Sequence, residues 1–249
     1  MFGCIEKHQG SKPFGNFLDA GTGLHSLRWI GTLEHKGMHR FTAVTADRTM
    51  QKNVQTEADA LEISHLGDII IGNWFGDPPI ELSEQYDTIL ADYLIGAMDG
   101  FSPYKQDEMI PKLLKYLKPG GRLYIVGLQP IPDQAAGDAD IICQVRRVRD
   151  ACILLAGHRC YREYPMDWIH KQIAQHPDEL KLINSTTFPI LYRHETIVKQ
   201  INVARSKFPY FPSPELADEM KKTLNDLERK SKEATERSGG KIRLGFDYM

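Results

Sequence analysis

The residues best suited to chemistry stand at the ends of two short apolar runs. Phe17-Leu18-Asp19-Ala20-Gly21-Thr22-Gly23-Leu24-His25-Ser26 is an apolar strand closed by an acid and two spaced glycines. Glycine lacks a Cβ, so backbone amides at such a turn can approach a ligand at the start of the following helix, where N–H groups are unpaired. The second run, Phe41-Thr42-Ala43-Val44-Thr45-Ala46, stops at Asp47. A carboxylate there can accept hydrogen bonds from both hydroxyls of a ribose, and the pair fits an adenosine ligand. On their own, two glycines serve any strand-to-helix connection equally well. The dinucleotide fingerprint G-x-G-x-x-G is not met, because position 26 is Ser.

A third set of reactive side chains lies later in the chain. Arg146, Arg147, Arg149 and Asp150 are followed by Arg159-Cys160-Tyr161-Arg162-Glu163-Tyr164-Pro165-Met166-Asp167-Trp168. Arginine beside tyrosine suits a carboxylate or phosphate, since the guanidinium fork donates two parallel hydrogen bonds. Arg146, Arg149, Tyr161, Arg162, Tyr164 and Trp168 are therefore candidate substrate-binding residues, with Arg146 and Arg149 on one helical face. The competing role for the arginines is to pair with Asp150, Glu163 and Asp167 and so to fix this segment in place. Aromatic rings in the same region suit a cationic sulfonium or ammonium.

Asp19-x-Gly21-x-Gly23 resembles the first motif of the class I S-adenosylmethionine-dependent methyltransferases, and later segments follow that family in order. Asp68-Ile69-Ile70-Ile71-Gly72-Asn73-Trp74 is similar to its third strand and turn, Tyr86 to Tyr93 to its fourth strand, and Leu117-Lys118-Pro119-Gly120-Gly121-Arg122-Leu123-Tyr124-Ile125-Val126-Gly127 to its helix end, turn and fifth strand. The resemblance is strongest to Gly127, loose over the next hundred residues, and recovered at Lys241 to Tyr248. It implies S-adenosylmethionine as cofactor and S-adenosylhomocysteine as product. Asp19, Gly21, Gly23, Asp47, Asn73, Trp74 and Asp92 would bind it, with Asn73 beside the adenine amine, Trp74 against its ring, and Asp92 near the transferring methyl. Asp92 and Tyr93 are the catalytic candidates, although Asp92 could instead cap the next helix. Two departures matter. His25 replaces the family's third glycine, and is expected to cap the helix rather than to reach the ligand. Asp92-Tyr93-Leu94-Ile95 lacks the Pro-Pro-aromatic of the amide and nucleobase N-methyltransferases, which disfavours that subfamily.

Methyl transfer from a sulfonium is an in-line displacement that needs positioning and exclusion of water. An oxygen or protonated amine acceptor also needs a base, for which His158, His170, His194 and Asp92 are available, whereas a thioether needs none. A further likeness to algal methyltransferases of dimethylsulfoniopropionate synthesis makes S-methylation of 4-methylthio-2-hydroxybutyrate the expected reaction. The alternatives are N- or O-methylation of another small metabolite, or a non-catalytic cofactor-binding module.

The elements needed to position these residues are legible in the rest of the chain. It has 249 residues, 41% hydrophobic and 26% charged, with a formal net charge of −2. That length supports one α/β domain, with residues 1–128 forming a cofactor-binding half and 129–249 a cap, the last strands and inserted helices for substrate binding. The weak net charge argues against nucleic acid as a partner and for a small molecule. A homodimer is left open. Cys4, Cys143, Cys152 and Cys160 have no metal-type spacing and read as reduced thiols, with no metal implied. No apolar run is long enough to span a bilayer, so a cytoplasmic location is expected, or an organelle interior if an upstream targeting segment was removed.

Apolar runs alternate with helical patterns from residue 16 to 128, which predicts βαβ units and a mostly parallel sheet with helices on both faces; the family resemblance implies a Rossmann-like α/β fold with seven strands, the last antiparallel. Leu24, Leu27, Trp29, Ile30 and Leu33 predict a helix ending at Lys36-Gly37, and Asp107 to Leu117 another. Beyond Pro130-Ile131-Pro132, helices are expected over about 138–156, 165–175, 194–207 and 213–237. Strands are expected within 180–192 and over 241–248.

Overall fold

The computed structural model describes residues 1–249. The chain opens with α1 (Phe2–Gln9), β1 (Gly15–Asp19), α2 (Leu24–Ile30), β2 (Met38–Thr45), α3 (Arg48–Ala60) and β3 (Gly67–Ile71). It continues through β4 (Tyr86–Asp92), α4 (Leu94–Ala97), α5 (Met109–Leu114), β5 (Leu117–Leu128), α6 (Asp140–Leu155) and α7 (Met166–Ala174). It ends with β6 (Thr187–Tyr192), α8 (His194–Arg205), α9 (Pro214–Arg237) and β7 (Ile242–Tyr248). The strands form one seven-stranded sheet in the order β3-β2-β1-β4-β5-β7-β6, parallel from β3 to β5 with antiparallel last strands. This is the predicted Rossmann-like sheet. No helix is long and apolar enough to cross a membrane.

Two compact units divide the chain. The first holds Met1–Leu128, Glu163–Thr186 and Tyr248–Met249, and the second Gln129–Arg162 and Thr187–Asp247. In the first, an aromatic nest anchors β1 to the helices: Phe14, Phe17 and Trp29 are buried and Phe2 stacks on Trp29 at 4.6 Å. Burial of each such ring contributes roughly 2–3 kcal/mol. Strand β1 lies between β2 and β4 and is buried at four of its five residues, so the adjacent Phe17 and Leu18 are both buried instead of alternating with exposed positions. In the second unit, α6, α8 and α9 enclose a separate core that includes Ile142, Ile197, Ile201, Leu224 and Leu227.

The structure departs from the sequence expectations in four places. Helix α1 was not anticipated; its hydrophobic pattern is weak, and it is held by contacts distant in sequence, with Ile5 buried and Glu6 accepting from Trp29 Nε1 at 2.8 Å. The helix expected to reach Lys36 ends at Ile30, and a short 3-10 turn carries Glu34–Lys36 before Gly37 takes φ +73°. The helix expected to run to Leu117 ends at Leu114, because Leu117 already pairs with Tyr86 of β4. The register then shifts, with Thr88 facing Arg122, so Pro119 and Gly120 bulge out and Gly120 takes φ +73°. Finally, β6 is confined to Thr187–Tyr192.

Candidate cofactor and acceptor site

Asp19 ends β1 with its side chain wholly buried, and neither carboxylate oxygen has a hydrogen-bond partner. Burial pushes its pKa up to about 7, the nearby charge of Asp92 adds to the rise, and the Ser26 and Thr22 hydroxyls and the Gly21 amide oppose it. Those three groups surround the carboxylate without closing a hydrogen bond to it at full geometry. A buried acid left in this state carries a desolvation cost of a few kcal/mol, and a cationic group beside it would offset that cost.

The loop after Asp19 is pinned from three directions. The Ala20 amide donates to Leu90 O and the Thr22 amide to Val44 O, both at 2.8 Å, while Ala20 O accepts from Trp74 Nε1 at 2.7 Å. A Cβ on Gly21 would lie 2.9 Å from Leu94 Cδ1, so the loop packs closely on α4 and any larger residue would have to displace the Leu94 side chain. Gly23 faces open space and is the N-cap of α2. Ser26, where a dinucleotide fingerprint would have its last glycine, closes the helix start: its hydroxyl accepts from Gly23 N and donates to Gly23 O, each at 3.1 Å. His25 is exposed and does not cap α2, which corrects the sequence expectation, because the buried Ser26 already does so.

Asp47 is exposed at the N-terminus of α3, where its Oδ1 accepts from Met50 N at 2.8 Å. The second oxygen stays available for a ligand hydroxyl. Asn73 and Trp74 follow β3, but both side chains are engaged within the protein. Asn73 Nδ2 donates to Phe101 O at 3.0 Å, and its Oδ1 accepts from Ser102 Oγ at 2.7 Å and from Phe75 N at 3.1 Å. Trp74 is buried beside Tyr116.

Asp92 closes β4, the strand next to β1, and is half-buried. Tyr93 follows with φ +50°, a left-handed conformation that costs a non-glycine residue about 1–2 kcal/mol. Its amide donates to Val126 O at 3.0 Å, and its hydroxyl donates to the Met1 sulfur at 3.9 Å. Tyr164 and Trp168 belong to the same compact unit as these residues, with ring centroids 4.4 Å apart. So does Glu163, which sequence reasoning counted only as an arginine partner. A Cβ on Gly96 of α4 would run into the Glu163 carboxylate, so the glycine forms the notch that receives it. The signal for it was a glycine inside a short apolar helix, which marks a close approach.

Arg146, Arg149, Tyr161 and Arg162 belong to the second unit. Arg149 donates to Asp150 Oδ1 through Nε (2.9 Å) and Nη2 (2.7 Å) and to Gln200 Oε1 through Nη1 (2.5 Å). Arg146 donates to Asp133 at 2.7 Å and lies 3.6 Å from Asp150. The pairing with Asp150 weighed from sequence is thus present for both arginines. Of the candidate bases, His170 Nε2 lies 3.2 Å from Ser185 Oγ, His194 Nδ1 lies 3.0 Å from Ser231 Oγ, and the His158 ring packs on Tyr210.

Comparison with known proteins places this geometry in a structural class. No family model and no curated protein matches the sequence. Among solved structures, the YcgJ protein of Bacillus subtilis aligns with a TM-score of 0.58 at 13% identity, over 99% of this chain and 94% of that one. The mycolic acid cyclopropane synthase CmaA1, complexed with SAH and CTAB, aligns at 0.51 and 13% identity over 98% of this chain and 84% of its own. A S-adenosylmethionine-dependent methyltransferase of Geobacter sulfurreducens, in complex with S-adenosyl-L-homocysteine, aligns at 0.50 and 13% identity, covering 99% and 88%. The chain has the fold of the S-adenosylmethionine-dependent methyltransferases.

Proposed function

We infer that this protein is a S-adenosylmethionine-dependent methyltransferase acting on a small, polar, carboxylate-bearing metabolite. The observation that carries this reading is Asp19: a wholly buried acid without a hydrogen-bond partner, at the carboxyl end of a central strand, beside a loop whose Gly23 faces open space. Such an arrangement costs stability unless a cationic ligand completes it. The solved structures with the same fold that hold S-adenosylhomocysteine or SAH support the choice of ligand.

In this reading Asp19, Gly21 and Gly23 hold the amino-acid end of the cofactor and Asp47 its ribose. Asn73 and Trp74 serve the adenine side, through the backbone they fix as much as through their own side chains. The cofactor supplies an activated methyl group on a sulfonium. Asp92 and Tyr93 stand at the end of β4, where an acceptor would meet that methyl, and the strained Tyr93 backbone holds its ring in place. The cap arginines Arg146, Arg149 and Arg162, with Tyr161, Tyr164 and Trp168, would hold the acceptor. For Arg149 that role requires exchange of its Asp150 or Gln200 partner for the substrate carboxylate.

Among such acceptors, a methylthio hydroxy acid such as 4-methylthio-2-hydroxybutyrate fits best, because its sulfur is a neutral nucleophile that needs no base. N- or O-methylation of another metabolite is the second reading, with Asp92 as the base. A screen of small thioethers, amines and carboxylates for cofactor-dependent release of S-adenosylhomocysteine tests the assignment. At least one thioether acid is expected to turn over, with kcat at saturating S-adenosylmethionine flat between about pH 6 and 9. A rate that rises with a single ionisation would favour the second reading, and unchanged kinetics in Tyr93→Phe, Arg149→Ala and Arg162→Ala variants would overturn the acceptor placement.

A further inference from the structure

Lys112 of α5 has a side chain only 10% exposed, yet the carboxylate that pairs with it stands on a loop and is 65% exposed. That carboxylate is Glu81, between β3 and β4, whose Oε1 accepts from Lys112 Nζ at 2.6 Å. Its other oxygen, Oε2, accepts from the Tyr116 hydroxyl at 2.5 Å. The two bonds hold the Glu81 carboxyl below its ordinary range, so it is ionised at neutral pH, while burial and then the bond to Glu81 push the Tyr116 phenol up to about 12.

These contacts continue inward to the glycine loop. Tyr116 is buried, and its carbonyl accepts from Tyr86 N at the start of β4 at 2.7 Å. Its ring lies against Trp74, with centroids 5.8 Å apart at 49°. The Trp74 indole N–H then donates to Ala20 O at 2.7 Å, between Asp19 and Gly21. The loop that carries Glu81 also closes on its own start: Ile80 N and Gly76 N both donate to Asn73 O, at 2.9 and 3.2 Å, and a Cβ on Gly72 would lie 3.0 Å from Ile80 Cδ1. Ion pairs between two exposed side chains contribute little. This pair differs because its lysine is buried and its carboxylate is shared: without Glu81, the Lys112 charge loses this partner and the Tyr116 hydroxyl its acceptor at once. We propose that Glu81, held by Lys112, is a positioning residue of the cofactor site, a surface latch that acts through Tyr116 and Trp74 to set Ala20 O and with it the glycine loop. This rests on the proposed methyltransferase function and extends its site to residues beyond those that would meet the cofactor.

Calorimetric titration with S-adenosylhomocysteine tests the latch in a double-mutant cycle, on variants whose circular dichroism matches the parent. Glu81→Ala and Tyr116→Phe should each weaken binding about fivefold in the parent, and by less than about twofold in a Trp74→Phe background, where the link to Ala20 is already cut. A general loosening of the fold predicts the same loss in both backgrounds. That result would overturn the latch, as would parent-like affinity in both single variants. Tyr116→Phe keeps the ring against Trp74 and removes one hydroxyl, so it carries the test if Glu81→Ala does not fold. Equal losses in a parent that binds S-adenosylhomocysteine would overturn the latch alone, whereas failure of the parent to bind it would remove the methyltransferase reading and the latch together.

Discussion

Two side chains carry most of the residue-scale consequences. Asp19 ionises at about 7 in the folded protein against an ordinary value of 3.8, with burial as the main cause. Between those values the folded form holds a proton that the unfolded chain has lost, so stability declines as pH rises from about 4 to 7, and the deficit is complete above 7. Melting curves from pH 5 to 8 should therefore fall more steeply for the parent than for Asp19→Asn, by a difference on the order of 2 kcal/mol across the window. Parallel curves would show that the acid is not buried as described. A cationic ligand prefers the ionised form, so affinity for S-adenosylmethionine should drop as pH falls below 7. Trp74 is the second case. Its indole N–H holds the glycine loop at Ala20 O, so Trp74→Phe should lower affinity for S-adenosylhomocysteine about tenfold, in line with the 0.5–1.5 kcal/mol of one such bond. Calorimetry that finds the affinity unchanged would return Trp74 to plain packing. Asp19, Gly21, Gly23 and Asp47 were legible because their types and spacing are local. The engagement of Asn73 with Phe101 and Ser102, and of Glu163 with Gly96, was not, since both join residues tens of positions apart.

At the scale of elements, periodicity located the long helices well. Helix α9 begins where Ser213 and Pro214 marked it, and the Ser213 hydroxyl accepts from Leu216 N at 3.2 Å. Ser213→Ala should cost about 1 kcal/mol, read as a shift in urea midpoint with unchanged slope. No shift would show that the cap contributes nothing. Elements defined by partners rather than by their own pattern were harder to see. Helix α1 carries few apolar residues and depends on Trp29 and Glu6, and the early start of β5 depends on Tyr86 across the ladder. Strand β4 shows the other side of the same physics. Its run Ile89-Leu90-Ala91 is buried between two parallel neighbours, which made it readable as an uninterrupted apolar stretch.

For the molecule as a whole, strand and helix alternation sufficed for a mostly parallel α/β sheet, and the ordered motifs of the family resemblance supplied the seven-stranded arrangement that the structure shows. It was less informative about how the chain divides. Glu163–Thr186 returns to the compact unit of the first 128 residues, and nothing in its composition marks that return. The consequence is that Tyr164, Trp168 and Glu163 share a unit with Asp92 and Tyr93, while Arg146, Arg149, Tyr161 and Arg162 do not. Whatever binds the acceptor, the glycine loop and its two acids must first hold an adenosyl ligand. Calorimetric titration of the full chain with S-adenosylhomocysteine, alongside Asp47→Ala, measures this directly. Binding by the parent at one site per chain, weakened at least tenfold by Asp47→Ala, is the expected result; no heat of binding in the parent, or equal affinity in the variant, would contradict it.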